Sequence, residues 1–311
     1  MGYNNKVSFS QFSLWNQCPH KWKLTYVDKI KEDKPSIHLI FGSAMHYVVQ
    51  IYLTALYSNG ASYADQLELR EILRESLAKE YQKAKERYEK NFLMEIEDSD
   101  KRKEQLEKEF GEFVTKQEMI EFYYDGEKIL DWFLKNRREF FNSVEEELVG
   151  IEYPLEKEIN DGLDFIAYID VLLKNKKTGK LRIVDLKMST KGWGSYKKSD
   201  SNTTDQIVLY KAFYAKRFGL DVKNIDGEFL IMKRKLYEDI PYKQKRVIRF
   251  VPASGKPTIN KSMERFNAFV DACFDDKGNY KKDGIFPKIA TDNNCRFCPF
   301  KDRPELCDRK N

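Results

Sequence analysis

Two apolar strands joined by a polar turn constrain the fold of this chain most strongly. Residues 164–187 read DFIAYIDVLLKNKKTGKLRIVDLK, in which runs of Val, Ile and Leu flank a turn that contains Gly. This pattern is typical of a β-hairpin. Asp170 lies within the first apolar run and Asp185 within the second. Because residues i and i+2 share one face of a strand, Asp185 and Lys187 point to the same side, and Asp170 reaches that side if the strands pair.

Two carboxylates and an ammonium group on one half-buried sheet face are costly unless another charge compensates them. A divalent cation would do so, because hard cations prefer carboxylate oxygens. The simpler interpretation is that Asp185 and Lys187 form an ordinary ion pair and that Asp170 lies at a strand edge. For so short a motif taken alone, the simpler interpretation is favoured, and the rest of the chain decides between the two.

The distribution of charge says more about partners than the net charge does. The 311 residues carry a net charge of only +5, which does not by itself imply nucleic acid. Basic residues nevertheless cluster within or after the 164–187 segment, and Lys and Arg clustered beside a site are typical of contact with a phosphate backbone. A solvated charged surface has the same appearance. The clusters are 174–180, Lys187, Lys191, Lys197, Lys198, 233–235 and 243–249.

The compartment predicted from the sequence is the cytoplasm, in a bacterium, an archaeon or a phage-infected host. No apolar run approaches the length of a membrane span, and residues 1–10 lack the apolar core of a signal peptide. We therefore expect no membrane partner. In a reducing compartment the five cysteines are expected to be metal ligands or core residues rather than disulfides.

Four of the cysteines predict a metal or cluster site. Cys295 and Cys298 have a chelating C-x2-C spacing, Cys307 follows nine residues later, and the distant Cys18 would complete four thiolates. Four thiolates suit zinc or a 4Fe–4S cluster, and the spacing alone does not choose between them. Such a site would close a loop of nearly the whole chain and so constrain the unfolded state. Cys273 lies in an apolar helical segment and is predicted to be a core residue.

Two predicted helices carry further polar side chains. In FGSAMHYVVQIYLTALYSNG, Ser43 is the expected N-cap. This places His46 in the first turn, where the helix dipole keeps the imidazole neutral and able to bind a metal. A packed histidine that donates to the backbone is the alternative. In TTDQIVLYKAFYAKRFG, Gln206 and Tyr210 share one face, which suits phosphate or base contacts or a buried Tyr with a polar neighbour.

The remaining pattern combines strands with a long helical segment. Residues 61–143 are dominated by charged helix, with a mobile or exposed stretch at 95–113 and an amphipathic helix at 116–141. Residues 148–159 alternate like a strand and contain Glu152. IDGEFLIMKRK and QKRVIRFVP predict two more strands, and a last helix precedes a tail that holds three of the cysteines.

Taken in order, these motifs resemble the RecB-like branch of the PD-(D/E)xK nuclease superfamily. They are most similar to members with a four-cysteine iron–sulfur cluster, which include CRISPR-associated RecB-like, AddB-type and phage exonuclease relatives. The resemblance covers most of the chain outside 61–143. It rests on SFSQFSLWNQCPHKWKLTY, on GSAMH, on AYIDVLL, on Asp185-Leu186-Lys187 as the D/E-x-K, on Gln206-x3-Tyr210 and on the terminal C-x2-C…C.

The resemblance implies an α/β (α+β) fold with a restriction-endonuclease-like core, in which helices flank a central mixed sheet. It implies four segments: an N-terminal part of the core at 1–60, a helical insertion at 61–147, the nuclease core at 148–285 and a cluster-binding tail at 286–311.

The resemblance also implies a metal-dependent DNA nuclease that acts in DNA end processing, recombination or repair. It favours an exonuclease over an endonuclease. The expected ion is Mg²⁺ or Mn²⁺, and Asp185 stands where many relatives have Glu, which the motif allows. The residues implied for metal binding and catalysis are His46, Asp170, Asp185, Leu186 through its carbonyl, and Lys187, with Glu152 in support.

The expected partner is DNA, single-stranded or with free ends. The sequence has no G-x4-G-K-[ST] motif, so a helicase or recombination protein would be a separate chain. The residues expected to contact DNA are Gln206, Tyr210, Lys191, Lys197 and Lys198. A 4Fe–4S cluster is implied in preference to zinc. Its expected ligands are Cys18, Cys295, Cys298 and Cys307, and the last follows a longer gap than the resemblance leads us to expect.

Two alternatives keep part of this interpretation. The chain could be a non-catalytic DNA-binding or assembly subunit of a recombination or CRISPR-adaptation complex, although a scaffold has no need of a costly D…D-x-K charge cluster. It could also be a zinc-stabilised interaction module, which would be colourless and would not cleave DNA.

Overall fold

Helices cover both faces of a single six-stranded mixed sheet, which confirms the predicted fold class. The computed structural model describes residues 5–31 and 34–307, so parts of the predicted segments 1–60 and 286–311 lie outside the described residues. The strands are β1 Asn5–Ser8, β2 Glu146–Asn160, β3 Leu163–Asn175, β4 Leu181–Ser189, β5 Ile225–Lys233 and β6 Val247–Phe250.

Eleven α-helical segments occur within the described residues, along with short π-helical and 3-10 turns. The helices are α1 Phe9–Gln17, α2 Pro19–Trp22, α3 Ile37–Asn59, α4 Ala61–Ala64, α5 Leu69–Tyr88, α6 Ser99–Phe113, α7 Lys116–Asn136, α8 Ser195–Ser199, α9 Ser201–Phe218, α10 Lys256–Cys273 and α11 Asp292–Arg296.

Strand β3 organises the sheet because it has three partners. Along one edge it pairs antiparallel with β2 over its whole length. Along the other edge its first residues pair parallel with β1, up to Ile166, and its last residues pair antiparallel with β4, from Val171 onward. Strands β4, β5 and β6 extend the sheet on that side. Residues 167–170 therefore have no β1 or β4 partner along that edge, and Asp170 lies where these two strands diverge.

The sheet separates two apolar cores. One contains α3 and α5–α7 together with Val184 and Leu186 of β4, and the other contains α1, α9 and α10 with Leu181 and Ile183. This alternation follows from the two-residue period of a strand. It directs Asp185 toward the α9 face. The helices of the 61–147 segment pack in the same first core as α3. The boundaries of the four predicted segments stay a prediction.

Helix α3 begins earlier than the sequence suggested. The expected N-cap, Ser43, lies inside the helix, and Ser36 is the N-cap, with its hydroxyl accepting a hydrogen bond from the His38 amide at 3.3 Å. The apolar residues IHLIF extend the helix backward because Ile37, Ile40 and Phe41 are buried. His46 is consequently the tenth residue of α3 and not a first-turn residue, so the helix-dipole argument for its charge state was wrong.

A second correction concerns the segment 95–113, which was expected to be a mobile stretch or an exposed turn between helices. Its residues 99–113 instead form α6. Asp98 caps the helix by accepting from the amides of Asp100 and Lys101. Leu106 and Phe110 are buried, four residues apart. One cap and one apolar i,i+4 pair therefore suffice for a helix whose other side chains are almost all polar.

One described helix, α3, is long and apolar enough to cross a membrane, contrary to the expectation that no apolar segment approaches that length. Its most apolar stretch is 61% buried inside the fold. Core helices meet the same length and composition criteria, and α3 packs within the first core.

Candidate functional site

Asp170 lies at the fork where β1 and β4 leave the same edge of β3. The register of β3 and β4 pairs Val171 with Val184, so Asp170 comes next, opposite Asp185. The Asp170 Oδ2 atom accepts a hydrogen bond of 2.7 Å from the Leu186 amide. The carboxylate thus satisfies a backbone donor that the diverging strands leave unpaired. Burial, followed by the charge of Asp185, raises the pKa of Asp170 well above its ordinary value.

Glu152 approaches Asp170 from the neighbouring strand β2. The register of β2 and β3 pairs Ile151 with Val171 and Tyr153 with Ile169, so Glu152 faces Asp170 across the ladder. Its φ of +45° is rarely adopted by a non-glycine residue and marks a local irregularity of β2. Gln50 of α3 donates a 2.6 Å hydrogen bond to Glu152 Oε1. Strained backbone of this kind concentrates at functional sites, because the surrounding structure must hold it.

His46 of α3 completes a group of three potential metal ligands. Its Nδ1 lies 3.6 Å from Asp170 Oδ2. One ligand atom from each of His46, Glu152 and Asp170 lies within 4.8 Å of the others. Burial lowers the pKa of His46, against the opposing effect of the Asp185 charge. The imidazole is therefore favoured in its neutral, ligating form, through burial rather than the helix dipole.

Asp185 and Lys187 lie on the same face of β4, as their spacing predicts. Lys187 Nζ is 2.7 Å from Asp185 Oδ2, and Asp185 is 2% exposed. From α9, Gln206 Nε2 donates to Asp185 Oδ1 at 2.7 Å and to the Tyr210 hydroxyl at 3.2 Å. Burial lowers the pKa of Lys187, but the charge of Asp185, its hydrogen bond to the ammonium group and the charge of Asp170 together outweigh burial, and the pKa is raised above its ordinary value. The ammonium group therefore stays charged at neutral pH.

The donor set fits a hard divalent cation. The carboxylates of Glu152 and Asp170 converge with the His46 imidazole, and the charge of the Asp185 carboxylate acts on both Asp170 and His46. Oxygen ligands with an imidazole nitrogen suit Mg²⁺ or Mn²⁺. The buried Asp185 Oδ2 atom lies 2.7 Å from the Lys187 ammonium group and has no other hydrogen-bond partner within residues 5–31 and 34–307. A carboxylate oxygen can accept at two sites, so one site of Oδ2 is available to a metal ion.

This arrangement of a β-hairpin carrying D…D-x-K beside a helix carrying His agrees with a comparison to protein families. The model of the PD-(D/E)XK nuclease superfamily matches residues 6–303. The chain belongs to this superfamily. PD-(D/E)XK proteins are nucleases that use divalent metal ions, so the carboxylate–histidine cluster is the candidate metal centre of this PD-(D/E)XK protein. A search of curated proteins finds no significant match.

Four cysteines line a second, smaller site in the same molecule. Cys18, Cys295, Cys298 and Cys307 all border one cavity of about 20 Å³ between α2 and the tail. None of the four forms a disulfide within the described residues. Burial raises the pKa of Cys307, and the charge of Lys288 opposes this while the other three thiols add to it. Cys273, by contrast, is fully buried in the second core, and burial raises its pKa.

The lysines predicted to contact DNA lie on the segment that follows β4. Each ammonium group sits over an aromatic ring: Lys191 at 5.0 Å from the centroid of Tyr237, Lys197 at 4.8 Å from that of Trp193, and Lys198 at 5.7 Å from that of Phe250. Burial and then the charge of Lys187 lower the pKa of Lys197, which places it within electrostatic range of the catalytic candidates.

Two sets of predicted site residues make contacts that the sequence did not predict. Glu152 was expected only to support the site, yet it lies within the group of potential ligands. Gln206 and Tyr210 were expected to hold DNA, yet Gln206 binds Asp185 and Tyr210 is 7% exposed. These contacts fit positioning of the Asp185 carboxylate better than direct DNA binding. The register of β2 against β3, which the sequence does not specify, is the signal that identifies Glu152.

Proposed function

We propose that this PD-(D/E)XK protein is a divalent-metal-dependent deoxyribonuclease that acts as an exonuclease on DNA ends, in end processing, recombination or repair. The observation that carries the proposal is the cluster of His46, Glu152 and Asp170, together with Asp185, whose charge acts on that cluster and which pairs with the charged Lys187. A scaffold protein gains nothing from keeping three carboxylates together at a cost in stability.

The residues we propose as metal ligands are Asp170, Asp185, His46 and Glu152, with the Leu186 carbonyl as a further candidate. Leu186 contributes its amide to Asp170, and its backbone also hydrogen-bonds to the His46 ring. A divalent ion held there would polarise a phosphoryl oxygen and lower the pKa of an attacking water. Imidazole among the ligands favours Mn²⁺ over Mg²⁺.

The protein's own groups then position substrate and solvent. Lys187, cationic beside Asp185, orients the attacking water and stabilises the negative charge that builds on the phosphate oxygens. Gln206 fixes the Asp185 carboxylate by donating to Oδ1, and the Tyr210 hydroxyl accepts from the same amide. Lys191, Lys197 and Lys198 supply sequence-independent, salt-sensitive attraction to the DNA backbone.

We further propose that Cys18, Cys295, Cys298 and Cys307 hold a 4Fe–4S cluster with a structural role. The four thiols border one cavity, although the first belongs to the N-terminal region and the others to the tail. Four thiolates also suit zinc, so the colour of the purified protein decides between the two. A cluster gives a brown protein with visible absorbance, whereas zinc gives a colourless one.

The experiment that tests the proposed function is cleavage of end-labelled and circular DNA, single-stranded and duplex, with Mn²⁺, Mg²⁺ or a chelator. Lys187→Met and Asp185→Asn are compared with two surface controls from the same sheet, Lys6→Met and Asp226→Asn. Both control residues form exposed ion pairs, so their substitution is expected to leave cleavage unchanged.

The expected result is metal-dependent loss of linear DNA, with circular DNA spared, that both site variants abolish and both controls retain. Cleavage of circular DNA would replace the exonuclease proposal with an endonuclease. Absence of cleavage by folded protein with a loaded cysteine site would overturn the enzyme proposal for the isolated chain. The protein would then be tested as a DNA-binding subunit of a larger complex.

A further inference from the structure

A basic groove of about 780 Å³ lies between α3, α5 and the tail, outside the metal centre described above. Its wall carries two acidic side chains, Glu80 and Asp302, against six cationic ones. The cationic residues of the basic groove are Lys21, Lys34, Lys83, Arg87, Arg296 and Lys301. A concave surface with this excess of one charge attracts a polyanion.

Most of the cationic side chains are not neutralised within the protein. Lys83 pairs with Glu80 at 2.6 Å, and Lys301 approaches Asp302 at 3.9 Å. The other four form no ion pair with any residue in the described ranges, 5–31 and 34–307. These are Lys21, Lys34, Arg87 and Arg296.

The basic groove continues to the metal centre along one stripe of α3. Leu39 and Ser43 line the groove, and His46 follows at the next position of the same helical face. The spacing of four and then three residues keeps the three side chains on one face, within about 10 Å along the helix axis. Ser43 is exposed, and Leu39 is 69% exposed, so the stripe is open to a ligand that enters the metal centre.

An exposed aromatic ring indicates which polyanion the groove accepts. Phe297 of the tail lines the groove and is 83% exposed, with the Arg296 guanidinium 5.2 Å from its ring centroid. Aromatic rings combined with cations bind single-stranded nucleic acid, because unpaired bases stack on the ring while phosphates contact the cations. Bases inside a duplex are not available for stacking. The groove volume also falls within the range of about 300–1,000 Å³ typical of small-molecule clefts.

We infer that the basic groove binds the single-stranded end of a DNA substrate and leads it along α3 to the metal centre, with Phe297 stacking on an unpaired base. The delivery step rests on the proposed nuclease function, whereas the binding step does not. The inferred substrate class of the metal centre is therefore DNA with a frayed or single-stranded end.

The first test measures binding without added divalent ions, so that cleavage plays no part. A fluorescein-labelled 20-nucleotide oligo(dT) and a blunt 20-base-pair duplex are titrated with wild type, Phe297→Ala and the double variant Lys21→Ala/Arg87→Ala. Loss of one stacked base is expected to weaken oligo(dT) binding about fivefold or more. Loss of two phosphate contacts is expected to lower the slope of log K against log salt by about 1.4.

Two matched control variants each remove an aromatic ring or a lysine outside the basic groove. Phe218→Ala removes a partly exposed ring at the end of α9, and Lys261→Ala removes an exposed lysine of α10. Both controls are expected to bind oligo(dT) like wild type. An unchanged oligo(dT) affinity in the groove variants would overturn the inference. An equal loss of affinity for the duplex, or an equal loss of oligo(dT) affinity in the control variants, would also overturn it.

A second readout separates the inference from the proposed function. Hydrolysis of bis(p-nitrophenyl) phosphate in Mn²⁺ reports the metal centre with a substrate too short to occupy the groove, and the groove variants are expected to retain it. If wild type hydrolyses no phosphodiester but the groove variants lose oligo(dT) affinity, the nuclease proposal fails and the groove assignment stands. If hydrolysis is normal and oligo(dT) affinity is unchanged, only the groove assignment fails.

Discussion

Replacing Gln206 with Leu tests how the site holds its buried carboxylate. The substitution keeps a side chain of similar size and removes the amide that donates to Asp185 Oδ1 at 2.7 Å. Asp185 is 2% exposed, so solvent has little access to replace the lost donor. A hydrogen bond to a charged group contributes about 1.5–3 kcal/mol. We therefore expect Gln206→Leu to lower the free energy of unfolding by about 2 kcal/mol.

The same change is also expected to weaken metal binding or activity. Partners that orient metal ligands typically contribute about 10–100-fold to metal affinity or activity. The assay is single-turnover cleavage of end-labelled DNA over a range of Mn²⁺ concentrations, together with urea unfolding of the same preparations. Gln206→Leu should raise the Mn²⁺ concentration for half-maximal cleavage by a factor in that range.

Tyr210→Phe is the matched control. It removes only the hydroxyl that accepts from Gln206 at 3.2 Å and leaves the hydrogen bond to Asp185 in place. Its cost should stay below about 1 kcal/mol, with the Mn²⁺ requirement unchanged. If Gln206→Leu unfolds and cleaves like wild type, or if Tyr210→Phe has the larger effect, the positioning argument is refuted.

Three further predictions use other parts of the molecule. Glu152→Gln should raise the Mn²⁺ requirement for cleavage about tenfold or more if Glu152 is a ligand, and an unchanged requirement would return it to a supporting role. Cys273, buried and with a raised pKa, should resist iodoacetamide in native protein and react only after denaturation, as peptide mass mapping would show. Gly126→Ala should lower the free energy of unfolding by about 1 kcal/mol, because its Cβ would lie 2.6 Å from Leu73 Cδ2 in a packed core. Gly111→Ala, with no atom within 4 Å of its Cβ, should instead raise the free energy of unfolding by up to about 1 kcal/mol. If urea unfolding shows both variants to be destabilised alike, the packing argument is contradicted.

The hairpin could be predicted from sequence because its information is local. Alternating apolar residues and a Gly-containing turn specify β3 and β4, and the two-residue period alone places Asp185 beside Lys187. The order of His46, Asp170 and the D-x-K could be compared with a known family for the same reason. None of these inferences needed knowledge of how distant elements pack.

Features that depend on tertiary contacts escaped sequence reasoning. The start of α3 was misplaced because the sequence alone does not show that the apolar residues before Ser43 are buried. The position of Glu152 depends on the register of β2 and on a backbone with φ of +45°. The contact of Gln206 with Asp185 depends on α9 crossing the sheet face, which no local pattern specifies.

The central claim is that one divalent ion is held between α3 and the β2–β3–β4 edge, and anomalous diffraction from crystals soaked in Mn²⁺ tests it most directly. The account predicts an anomalous peak about 2.1 Å from carboxylate oxygens of Asp170 and Asp185. The peak should disappear in Asp170→Asn crystals grown the same way. A fully occupied Mn²⁺ site elsewhere, with no density at these carboxylates in protein that cleaves DNA, would contradict the account.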